Sequence, residues 1–163
     1  MGEIRAWFVG RLPEEWFIGE PEVEVDRDEI LVVGGLQPPE AEGDAAQRAA
    51  EAGRINRFRE ETRHKRMQIA DEAEARFGRK VAWGARCGET RQLFTTLSVP
   101  VMTRLRQPER QVLDTLVEAG VARSRSEALA WSVRLVGQHE SDWIAELRRA
   151  LVAVQEARAA GPA

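Results

Sequence analysis

Leu97-Ser98-Val99-Pro100-Val101-Met102-Thr103-Arg104-Leu105, followed by Val112-Leu113, Leu116-Val117 and Arg123-Ser124-Arg125-Ser126-Glu127-Ala128, is the stretch that decides the fold. Leu97, Val99, Val101 and Leu105 share one face of an extended strand, with Thr103 as its polar member. Ser98, Pro100, Met102 and Arg104 share the other. Pro108 stands where the first turn of a helix tolerates a proline. The apolar stripe from Val112 to Val117 stops at Gly120, and Ser124 with Glu127 has the spacing of a capping box opening a second helix. Leu129, Val133 and Val136 form that helix's inner face. The spacing predicts helices over about 109–119 and 125–137. A third begins at Ser141, with Ile144, Leu147, Leu151 and Val154 on one stripe.

One strand and two short amphipathic helices cannot bury their apolar faces alone, and an isolated strand leaves backbone groups unpaired. A second copy solves both problems, so a homodimer is expected. Strand, helix, short turn and a capped helix beginning Ser124-Arg125-Ser126-Glu127-Ala128 resemble the ribbon-helix-helix family of bacterial regulators. The likeness covers about a quarter of the chain, and the turn is about one residue longer than is common. It implies an antiparallel ribbon in the DNA major groove, with the second helix pointing its N-terminal amides at a phosphate. By position, it places Pro100, Met102 and Arg104 on the groove face, with Ser98 joining them if the ribbon starts earlier. Ser124 and Arg125 form the phosphate clamp, and Arg123 stands beside them. Arg104 is the one good base reader, since arginine pairs with guanine O6 and N7, whereas Met102 offers only contact to a thymine methyl. Two alternatives stay open: a protein-interaction or scaffold module that uses this element only to dimerise, and a helix-turn-helix over 109–137.

Working outward, the remaining sequence predicts an α+β protein with a region of unknown function at 1–92 and the dimerisation and DNA-binding domain at 93–158. Glu3 to Val9 alternates like a strand, and Trp16-Phe17-Ile18 suggests a short second one. Glu22–Asp26 and Ile30–Val33 read as a hairpin around Asp26-Arg27-Asp28. After a linker at Gln37–Glu40, one long helix is expected from about Asp44, its N-cap, to Phe77, stopped by Gly78. Such a helix would run roughly 50 Å, so a break or a projection is anticipated. Val81 to Cys87 reads as a strand able to pair with Arg91–Val99.

Net charge is −3, but residues 1–44 carry 12 acids and 3 bases whereas 45–91 carry 7 acids and 12 bases. The first segment would therefore repel a phosphate backbone. The basic helix face of Arg54, Arg57, Arg63, His64 and Lys65 is expected to pair with the acidic hairpin at Glu22–Glu29 or to extend a DNA footprint. The 1–92 region is assigned a protein or small-molecule effector as partner. No apolar run is long enough to span a membrane, and the lone cysteine, Cys87, cannot form an internal disulfide, so a cytoplasmic, nucleoid-associated location is expected. No catalytic constellation, cofactor motif or metal-ligand spacing is apparent, and a non-enzyme is expected. Trp131, off the Leu129–Val133 stripe, is a candidate dimer contact.

Overall fold

The computed structural model describes residues 2–161. It divides the chain into two compact units, Met1–Pro100 and Val101–Ala163. The first is α+β. In chain order it holds α1 (Gly2–Arg11), a 3-10 turn (Glu14–Trp16), β1 (Glu22–Val25), β2 (Glu29–Leu36), α2 (Asp44–Glu61), α3 (Arg63–Phe77), β3 (Lys80–Cys87) and β4 (Thr90–Leu93). The strands form one sheet in the order β1-β2-β3-β4. The outer pairs are antiparallel, while β2 and β3 run parallel from Glu29↔Lys80 to Leu36↔Cys87. A parallel pair needs a crossover, and α2 with α3 supplies it.

Alternation along the strands puts Ile30, Val32 and Leu36 on one face, with Val81, Trp83, Ala85 and Cys87 beside them. That face is covered in two halves. Ile4, Phe8 and Leu12 of the N-terminal segment pack with Ile69 and Ala73 of α3 over Ile30, Val32 and Trp83. Ile55 and Phe58 of α2 pack over Leu36, Ala85 and Cys87. Phe17 lies directly against Gly34: a Cβ there would sit 2.0 Å from the ring, so only glycine admits this packing.

Several expectations are corrected. Glu3–Val9 is helical, because Ile4, Phe8 and Leu12 at a spacing of four bury one side, and in so short a run that spacing competes with strand alternation. Trp16-Phe17-Ile18 is not a strand: a 3-10 turn ends at Trp16, and of the three only Ile18 hydrogen-bonds to the sheet backbone, donating its N–H to the Gly35 carbonyl at 2.8 Å. The long helix is two helices meeting at Thr62. The Thr62 hydroxyl donates to the Phe58 carbonyl at 2.6 Å, the back-bonding that bends helices. Asp44 is the first helical residue rather than the cap, which is Gly43. The β1–β2 turn is an Asx turn, in which Asp26 Oδ1 accepts from the amides of Asp28 and Glu29, both at 2.7 Å. These bonds to the charged form hold the Asp26 carboxyl below its usual range. Gly78 stops α3 in the left-handed conformation at φ 66°.

The second unit holds α4 (Gln107–Glu118), α5 (Arg125–His139) and α6 (Ser141–Ala160). Its buried core is small: Leu113, Ala122 and Ala128, with Leu105, Leu116, Val117 and Leu129 partly buried around them. Trp131 is half-buried, and no residue of α6 is buried.

Candidate nucleic-acid interface

The chain leaves β4 at Leu93, and its pairing with β3 continues only through the Phe94 amide to the Trp83 carbonyl (2.7 Å) and the Trp83 amide to the Thr95 hydroxyl (3.1 Å). The expected intramolecular hairpin reaching Val99 is therefore shorter. From Thr96 to Arg106 there is neither helix nor strand. Among the described residues, no backbone amide of that segment donates a hydrogen bond. From Thr96 to Arg104 both faces of the segment are open, and Leu105 packs partly against the core of the second unit. Leu97 and Val99 are exposed, Val101 is 86% and Met102 96% exposed, and Arg104 has no ion pair among the described residues. The division between the two units falls inside it, between Pro100 and Val101.

Beyond the segment, the α4–α5 turn is built as a capping device. Ser124 Oγ accepts from the Glu127 amide at 3.2 Å, and the Glu127 carboxylate accepts from the Arg123 amide at 2.8 Å. Gly120 turns the chain at φ 75°. Neither Arg125 nor Ser126 donates its amide to another backbone group among the described residues, so the first turn of α5 keeps free N–H groups. Arg123 extends into solvent, 94% exposed, and lies 3.6 Å from Glu127.

Arg125 is placed differently from the expectation. Its guanidinium grips Asp114 of α4 through two bonds of 2.6 and 2.7 Å, so a phosphate there would have to compete with a carboxylate. The same contact holds the Asp114 carboxyl below its ordinary range and raises Arg125. Of the sequence-selected residues, the structure thus groups Arg123, Ser124 and Arg125 at one helix start. Ser98, Met102 and Arg104 stand on the unpaired segment.

The basic helix face does not find the acidic hairpin. Glu22 faces Arg86 of β3 and Arg91 of β4 instead, at 3.7 and 3.9 Å. Among the described residues, Arg54, Arg57 and Arg63 make no ion pair. Cys87 is fully buried, and burial pushes its thiol up, away from nucleophilic character. No helix is long and apolar enough to cross a membrane.

Comparison with known proteins follows the same two-part division. Residues 2–93 match the model described as the Rv1265-like protein, N-terminal domain. The chain belongs to the Rv1265-like family. Residues 106–158 match the Mb1296 C-terminal domain. Mb1296 of Mycobacterium bovis and Rv1265 of Mycobacterium tuberculosis, both described as uncharacterized, are each 64% identical to this chain over 159 residues. Those matches span 96% of this chain and 69% of each relative. Neither family description is that of a ribbon-helix-helix family. No solved structure matches the chain.

Proposed function

We propose that the protein is a homodimeric, non-enzymatic DNA-binding regulator whose Leu97–Leu105 segments pair across the dimer as a ribbon for the major groove. The observation that carries this reading is that, among the described residues, no amide from Thr96 to Arg106 donates a hydrogen bond, immediately before a helix pair whose second helix is capped by Ser124. A second copy would satisfy those amides and cover Val99, Val101 and the exposed Val112 and Val133 together. Arg104 then reads a base. The free amides at the start of α5, with Ser124 and Arg123, face a phosphate, and Arg125 is shared with Asp114.

The test is a mobility-shift titration against random and selected duplexes at several salt concentrations. Arg104→Ala should cost about 1–3 kcal/mol on a selected site and relax specificity at one position. Arg123→Ala should weaken all sequences alike and shallow the salt slope. A dimer that shows no salt-dependent duplex binding would leave the second reading, a dimerising interaction module. The Arg125–Asp114 clasp and the near-total exposure of apolar Met102 on the groove face favour that reading.

A further inference from the structure

At the α2–α3 bend, a cavity of about 560 Å³ opens between the two helices and the β3–β4 end of the sheet. Three arginines line it. Arg66 is buried at 6% exposure, yet no carboxylate among the described residues lies within ion-pair distance. Its Nε donates to the Thr62 hydroxyl at 2.9 Å and one terminal nitrogen to the Arg59 carbonyl at 2.6 Å. Its guanidinium lies 4.9 Å from the Phe94 ring centroid. Arg59 sits over the same ring at 5.9 Å, and Arg63 lines the wall without an ion pair.

Neutral acceptors and a ring face are poor compensation for a desolvated cation. Burial first, and then repulsion from Arg59 and Arg63, lower the Arg66 guanidinium to about 10. Trp83 is another wall residue. It is 3% exposed, and its indole N–H is buried with no acceptor. Its ring contributes a flat wall to the cavity beside the three arginines. Glu60 is the one acid in the lining. Met67, Val81 and Phe94 add apolar wall, and Asn56 and Thr95 complete the rim with polar groups.

We propose that this cavity binds a small organic oxyanion. A phosphate or carboxylate head group is held by Arg59, Arg63 and Arg66, and a flat apolar body lies against Met67, Val81 and Trp83. The cavity is concave and its central cation is buried, which suits a small molecule better than a duplex backbone. The assignment stands independently of the DNA-binding reading.

The test is titration calorimetry on the full chain with phenyl phosphate, benzoate and inorganic phosphate. One of the two aromatic anions should bind saturably, one per chain, about tenfold tighter than inorganic phosphate. Which of the two binds better identifies the head group. Arg63→Ala, at an exposed position, should weaken it about tenfold or more at unchanged melting temperature, as expected for a lost charged hydrogen bond. Trp83→Phe, which trims the flat wall and leaves the arginines in place, should weaken it less. Absence of saturable binding at millimolar ligand, or equal binding by an Arg59→Ala/Arg63→Ala variant, overturns the proposal. So does an Arg63→Ala variant that loses duplex affinity while the small anions have no effect, which would make the cluster part of a nucleic-acid surface.

Discussion

The two units differ in how far each completes its own interior. In the first, Phe8, Ile30, Val32, Ile55 and Ile69 are fully buried, and every strand of the sheet has a partner within the chain. In the second, three of the described residues are buried, two of them alanines, while Val112, Val133, Val136, Leu147 and Leu151 stay exposed. Similar proportions of apolar residues thus produce opposite outcomes. A helix or strand hides its apolar face only where another element meets it, and the C-terminal elements lack enough neighbours.

The sharpest way to break this contrast is Val101→Asp. If the second unit borrows its missing interior from a second copy, a carboxylate at that position is buried without a partner. Light scattering should then fall from about twice the 18.3 kDa chain mass to the monomer mass. Helical content from the C-terminal unit should fall with it. A wild-type chain that is already monomeric and fully folded would remove the basis of the comparison. Phe58→Ala tests the other side. Emptying a 4% exposed aromatic position should cost about 3–5 kcal/mol in the first unit while leaving the oligomeric state unchanged. Denaturant melting followed through tryptophan fluorescence, beside light scattering, separates the two outcomes.

The smallest effect belongs to the clasp that closes the second unit on itself. Asp114 titrates below its ordinary range in the folded chain. Its contribution is therefore present above the unfolded carboxylate value of about 3.9 and disappears as pH falls through the lower folded value. Asp114→Asn should lower the melting temperature slightly at neutral pH, and the deficit should shrink as pH falls below about 3.9. An equal deficit at neutral and low pH would assign the effect to packing rather than charge.

What the sequence made legible follows the same divide. The helix starts and stops around Pro108, Gly120 and Ser124 are written in local chemistry, and the structure places α4 and α5 within about two residues of the expectation. The β1–β2 hairpin and β3 were legible for the same reason: alternation and turn residues act over a few neighbours. α1 was not, because seven residues with bulky groups on both sides fit either period until Phe8 meets Trp83 across the sheet. The bend at Thr62 depends on one hydroxyl choosing its own helix's carbonyl, which no periodicity records. The arginine cavity was invisible for a deeper reason. Arg66 falls on the inner stripe of its helix, where composition alone marks it as one more basic residue. Its isolation from acids exists only once Phe94 and Trp83 are brought beside it.

The bare backbone from Thr96 to Arg106 also bears on how long a subunit survives. It contains Arg104 and Arg106 in an exposed, unprotected run. The segment therefore offers a protease its cut sites without any prior unfolding, and in the proposed dimer a covered copy would first have to open. Cleavage at either arginine would separate the sheet and its helices from α4, α5 and α6. If the proposed dimer forms, lifetime would follow encounter frequency, and dilution alone would shorten it.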